Sequence, residues 1–367
     1  VAATPHDAPA RLNRENRAVL ARPVPPTCAP PTWGVTPRGV FQASRPMPHY
    51  TRRDFTKLAL AAVPAAGLLS LPGAFAADSA AKPAKKPNSK VNGVQIGLNV
   101  PYSFGAAVAQ PTGDQILENC LALGVSGVEL RTQSVEVFLG APADLVYTKR
   151  AVATGDTAAL REWRTGAKVA GAAAYRKKFE DAGVLIEVVK VDGIFKMNEA
   201  ELDYVFSLGK TLGARALSTE ISTGATKDAD HKRVGAFADK HGLRIGYHGH
   251  THTGPKEWEE TFALAKHNGA NVDIGHFVAG LNMSPVEFIK QRHDRITHIH
   301  VKDKKMNGGA ACPFGEGDTP IVEILRLIRD NKWPIQATIE FEYKVPAGSD
   351  RMTEIAKTIK FCRDALA

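Results

Sequence analysis

Cysteine is scarce in this chain. There are four in 367 residues, and Cys28, Cys120, Cys312 and Cys362 show no Cys-x-x-Cys spacing. That argues against a disulfide framework. No Gly-x-Gly-x-x-Gly follows the first strand-like run, which weakens a dinucleotide fold. No internal repeat is visible. The longest apolar stretch near the start, Leu58 to Leu71, is broken by Pro64 and Gly67 and is too short to span a bilayer comfortably. Up to about residue 90 the chain is rich in Pro, Ala and Arg and has no amphipathic pattern.

What that opening segment does have is order. Thr51-Arg52-Arg53-Asp54-Phe55-Thr56-Lys57 precedes the apolar stretch, and Ala74-Phe75-Ala76 comes after it as a small-x-small cleavage pattern. This arrangement resembles a twin-arginine export signal over residues 47–76. Met47 is a natural start for it, so residues 1–46 are expected to be a non-native or disordered extension. Residue 77 is Ala rather than Cys, so no lipid anchor is expected. Residues 77–92, with Lys-Pro-Ala-Lys-Lys-Pro-Asn, read as a flexible linker. The expected location is the periplasm or another exported compartment.

The leader also explains the charge. The chain has 47 basic and 38 acidic side chains, of which nine and three precede Ala77, leaving +3 on the rest. A basic nucleic-acid-binding surface is not supported. Three cysteines remain after cleavage, which suits export of a protein already folded.

From Val94 the pattern alternates between strand-like and helix-like runs. Strands are predicted at 94–100, 127–131, 184–191, 215–221, 243–247, 271–274, 296–301 and 336–341. Helices are predicted between them, including one continuous helix over 157–182, and glycines such as Gly124, Gly213, Gly242 and Gly269 end several of them. Residues 133–155 read as a polar, Ala-rich stretch. Eight such alternations predict the α/β class, and specifically a (β/α)8 TIM barrel over 93–367.

Four of the later strands end in metal-type ligands: His248 and His250, Asp273 and His276, His298 with His300 and Asp303, and Glu340 with Glu342. A parallel barrel gathers such ends on one face. Residues i and i+2 share a side of a strand, so the pairs point together. Polar pairs on buried strands are costly unless a metal, a partner or a substrate receives them. Imidazoles and carboxylates together suit Mn²⁺, Co²⁺, Mg²⁺ or Zn²⁺. Glu220, ending the fourth strand, is a further candidate ligand or general base. Lys190, near the end of the third, is placed to polarise a carbonyl or to form a salt bridge with Glu129 or Glu220. Lys302-Asp303 reads as structural, and Cys312 receives no role.

Val-Asp273-Ile-Gly-His276, His300-Val-Lys302-Asp303 and Gly315-Glu-Gly317-Asp resemble the xylose isomerase-like TIM-barrel proteins, which include sugar isomerases and epimerases and inosose dehydratases. Tyr-His248-Gly-His250 looks like a Tyr-His-Asn-His signature of one branch. Val128-Glu129-Leu130, Gly140-Ala-Pro142 and Thr219-Glu220 look like that branch too. The resemblance implies one metal held by His248, Asp273, His300 and Glu340. In the epimerases the position of His248 holds a Glu that acts in catalysis beside the equivalent of Glu340. Here Glu220 is the candidate replacement, alongside Glu340 and Lys190. His250, His276, Glu129 and Glu342 are expected substrate contacts, with support of Asp273 as the alternative for His276.

The chemistry implied is proton abstraction next to a sugar carbonyl, with the resulting enediolate stabilised by the metal. Reprotonation gives isomerisation or epimerisation, and loss of a β-substituent gives a lyase or dehydratase. The expected substrate is a small carbohydrate, with no nucleic acid, no stable membrane anchor and a homo-oligomer as one possible state. An apurinic-type endonuclease needs more metal ligands and a basic face. A carbohydrate-binding barrel without catalysis is the non-enzymatic alternative.

Overall fold

Alternating apolar runs and capped helices build a closed parallel barrel. The computed structural model describes residues 86–105, 110–147 and 157–367. The chain divides into two units near Asp78, and the described residues all belong to the second, Ser79–Ala367. The twin-arginine stretch and its flanks, residues 1–85, lie outside the described residues.

The eight barrel strands are β1 Val94–Val100, β2 Gly127–Arg131, β3 Leu185–Lys190, β4 Ala216–Glu220, β5 Arg244–His248, β6 Asn268–Asp273, β7 Ile296–Val301 and β8 Gln336–Ile339. Each pairs in parallel with the next, and β8 pairs β1 to close the ring. The outward residues of each strand, such as Ile96, Leu98, Leu217, Val272 and Ile299, are fully buried beneath the helices. Trp258, Phe277 and Phe288 form one such seam, with Trp258 and Phe288 ring centroids 5.1 Å apart. Among the described residues no helix is long and apolar enough to cross a membrane.

Local chemistry sets the boundaries. Thr112 and Gln115 form a capping box that starts Gly113–Ala122. Gly242 takes the left-handed conformation, φ 61°, that ends Lys227–His241. Asp303, read as structural, is so: its carboxylate accepts the backbone N–H groups of Gly315, Gly317 and Thr319 and pins the loop after β7.

Three expectations change. The predicted helix over 157–182 is two helices, Ala158–Gly166 and Ala172–Asp181, separated by a 3-10 turn between two glycines. The linker ends sooner than residue 92. Ser89 is buried, its N–H donates to Ser126 Oγ, and Lys90–Val91 ladders antiparallel onto β1. The sixth strand starts at Asn268 rather than residue 271, because Gly269, read as a helix stop, lies inside the ladder beside Gly246.

Candidate metal centre and its acid-base flank

Register decides which side chains meet. Glu220 pairs with His248 across β4 and β5, Asp273 with His300 across β6 and β7, and Asn99 with Glu129 across β1 and β2. His248, Asp273, His300 and Glu340 therefore converge. All four are buried, and their ligand atoms lie within 4.8 Å of one another.

His300 is the hub. Its Nε2 lies 2.5 Å from Glu129 Oε2, and its Nδ1 faces Glu340 Oε2 at 3.3 Å and Asp273 Oδ2 at 4.0 Å. An Nε2–H donated to Glu129 leaves Nδ1 for a metal, the arrangement by which an outer carboxylate orients a ligating histidine. Burial lowers the affinity of His300 for a second proton, but Glu129 and Glu340 outweigh it and raise the pKa to about 10. Metal binding at Nδ1 would displace that proton. Burial, helped by His300 and Lys190, holds His248 well below the usual histidine range against the pull of Glu220, so its lone pair is free.

The residues fit a divalent ion. Nδ1 of His248 is buried without a hydrogen-bond partner, while Nδ1 of His300 and Oδ2 of Asp273 are buried against only Glu340 Oε2 and the Lys302 ammonium, respectively. Buried polar atoms left unpartnered are rare and costly. Asp273 Oδ1, by contrast, accepts the N–H of His276 and caps the helix Ile274–Leu281, which fixes the carboxylate's orientation. Asn99 donates to Glu340 Oε1 at 2.9 Å.

On the open side, His250 Nε2 lies 2.6 Å from Glu220 Oε2, and the Lys190 ammonium lies 2.6 Å from Oε1. His250 is 43% exposed and Lys190 only 1%. Burial raises the pKa of Glu220, but Lys190, His248 and the hydrogen bond from His250 overcome it and hold the carboxylate far below its ordinary range. It is thus a weak base and a firm anchor. His250 stands beside His248 and His276, with ring centroids 4.8 and 5.0 Å away. Gly249 between the two histidines is required here, because a Cβ would overlap the Trp258 ring.

Opposite lies Lys302, expected to be structural. It is buried, with its ammonium among Asp273, Glu340, Glu342 and His276. Glu342 also accepts from the Tyr102 hydroxyl at 2.6 Å. Arg131, at the end of β2, lies over the Tyr102 ring and pairs with Asp192.

The predicted residues sort accordingly. His248, Asp273, His300 and Glu340 come together as expected. His250, His276 and Glu342 reach the mouth. Glu129, expected at substrate, is fully buried behind His298 and His300, so its place is that of an orienting carboxylate. Lys190 forms the salt-bridge alternative with Glu220, its ammonium buried. Lys302 and Tyr102 join the site without having been expected there. Lys302 continues the His298-His300 alternation by one more step and is legible by that rule.

Known proteins agree with this architecture. Residues 229–365, from the helix before β5 to the last helix, match the family described as Xylose isomerase-like TIM barrel. An inosose dehydratase of Clostridium botulinum (strain Alaska E43 / Type E3) is 29% identical over 133 residues, covering 30% of this chain and 44% of that protein. The chain thus matches less than half the length of this curated relative. The xylose isomerase domain protein of Planctomyces limnophilus superposes with a TM-score of 0.52 at 15% identity, over 74% of this chain and 96% of that one. The probable 3-DHS dehydratase AsbF of Bacillus anthracis gives 0.51 at 13%, over 73% and 99%. At these identities the two structures show the shared fold.

Proposed function

We propose that this chain is a metal-dependent sugar isomerase or epimerase that abstracts a proton next to a carbonyl. The observation that supports it is the burial and convergence of His248, Asp273, His300 and Glu340, with Nδ1 of His248 unpartnered, at the C-terminal face of the barrel. A divalent metal bound there would draw charge from the substrate carbonyl and make the neighbouring C–H acidic. The chain's residues do the rest. His250 Nδ1 takes the proton while Glu220, fixed by Lys190, holds the ring and supports its charge. Returning the proton from the same side to the adjacent carbon gives an isomer. Glu342 and His276 hold substrate hydroxyls at the mouth.

One observation favours a second reading over epimerisation, though not over isomerisation: a keto-sugar or 3-keto-glycoside lyase or dehydratase. The flank offers one open acid-base group, because Glu340 is tied to Lys302 and Asn99. Epimerisation needs proton transfer on both faces of a carbon, whereas isomerisation and syn elimination need one. The dehydratase named among the relatives fits this. The proposed location is outside the cytoplasm, on the sequence of the leader alone.

The test is incubation of metal-loaded protein with free, keto- and 3-keto-sugars in D₂O, followed by NMR and mass spectrometry. Deuterium at a carbon adjoining the carbonyl with no loss of water or aglycone supports the isomerase reading. Loss of water or aglycone supports the lyase. Binding without exchange or product would leave a carbohydrate-binding barrel and overturn both.

A further inference from the structure

The Lys302 ammonium has the surroundings of a metal ion. Glu342 Oε2 lies at 2.6 Å, Glu340 Oε2 at 2.7 Å, Asp273 Oδ2 at 3.0 Å and His276 Nε2 at 3.2 Å. Three carboxylates and an imidazole are a divalent-cation donor set. Asp273 and Glu340 are shared with the four-residue group around His300, so the two positions adjoin. The neighbouring backbone is shaped for the lysine. A Cβ on Gly275 would overlap the Lys302 side chain and carbonyl, so only glycine lets the helix Ile274–Leu281 start here.

We propose that the Lys302 ammonium is a built-in second cation of the centre, seated in a shell that takes a divalent ion once the lysine is removed. Charge supports this. Three carboxylates and one ammonium leave two negative charges, which one divalent ion neutralises. Without the ammonium, three negative charges and the vacated space call for another ion. On the proposed reading, which this inference deepens, the centre would hold one exchangeable and one permanent positive charge. The permanent one cannot be lost by dilution or chelation.

The experiment is equilibrium dialysis of purified protein against Mn²⁺, with bound metal counted by elemental analysis. Wild type, Lys302→Ala and Lys302→Met are compared. Alanine empties the shell, whereas methionine fills it without charge. The expected result is one more Mn²⁺ per chain in Lys302→Ala than in wild type, and no gain in Lys302→Met. Equal stoichiometry in wild type and Lys302→Ala overturns the inference. So does an equal gain in Lys302→Met, or a Lys302→Ala protein that stays unfolded in millimolar Mn²⁺. If wild type binds none and Lys302→Ala binds one, the shell is upheld while the proposed metal enzyme fails.

Discussion

His250 Nε2 lies 2.6 Å from Glu220 Oε2, and the other oxygen of that carboxylate is held by Lys190. The pair has the form of a base with its orienting carboxylate. Spacing along the chain points to Glu220 as the base itself, but the Lys190 ammonium and the hydrogen bond from His250 keep it ionised and weakly basic. The exposed imidazole is the better proton carrier.

His250→Ala should reduce solvent-deuterium exchange into substrate by about 10²–10⁴-fold, the usual contribution of a general acid-base group. Glu220→Gln should give an intermediate loss in kcat with little change in KM, because it disturbs the ring's orientation and leaves the substrate contacts. Metal content should be unchanged in both. Full exchange in His250→Ala, or a deeper loss in Glu220→Gln than in His250→Ala, would return the base to Glu220.

Asp273 joins the four-residue group to the start of the next helix, so its removal has two readable effects. Asp273→Ala should lower bound divalent metal substantially, and should destabilise the fold by about 1 kcal/mol through loss of the helix cap. Asp273→Asn keeps the cap acceptor and removes the charge. It should lose metal but retain most stability. Elemental analysis and thermal unfolding separate the two. Unchanged metal in either variant counts against the site.

The barrel and the four-residue group are legible in the sequence because both rest on alternation. Strand residues two apart share a side, and ligands at strand ends meet at one face. Partners are less legible. Whether Glu129 faces substrate or His300 depends on the stagger accumulated around the barrel between two strands that do not pair with each other, β2 and β7, which β1 and β8 separate. Whether Lys190 meets Glu129 or Glu220 depends on side-chain reach within the barrel. The break in the predicted helix over 157–182 is hidden because Trp163, Tyr175 and Phe179 keep an apolar face across the turn, while Gly166 and Gly171 interrupt the backbone. Lys302 escapes notice because a lysine beside an aspartate looks like a loop ion pair. The parity of His298, His300 and Lys302 is the better guide.

The leader makes a prediction that is independent of the barrel. Arg52 and Arg53 precede an apolar stretch and a small-x-small cleavage pattern. Replacing both with Lys should hold the precursor in the cytoplasm with its leader uncleaved, because the twin-arginine route reads the guanidinium pair and not charge alone. Cell fractionation and the mass of the accumulated protein check this. Normal export of the double variant would remove the proposed location.

His231 ties the fold's stability to pH away from the candidate metal centre. It is buried between the helices Lys227–His241 and Pro255–Leu264. Its Nε2 accepts the Ser222 N–H at 3.0 Å, and its Nδ1 lies 3.4 Å from the Thr261 hydroxyl. A second proton would set one N–H against another. Burial, with a small push from Lys227, lowers its pKa to about 4 despite Asp230 and Asp228. In the unfolded chain a histidine titrates near 6.5. Between those values the unfolded chain holds a proton that the folded one does not, so stability rises with pH across that window. The contribution is complete above about 6.5 and is lost progressively as the pH falls to about 4, by up to about 3 kcal/mol. His231→Gln offers an amide oxygen to the Ser222 N–H and does not titrate. Urea unfolding of both proteins from pH 4 to 7 should show the variant's stability falling less steeply than the wild type's. Parallel curves would mean that His231 is not held neutral by the fold.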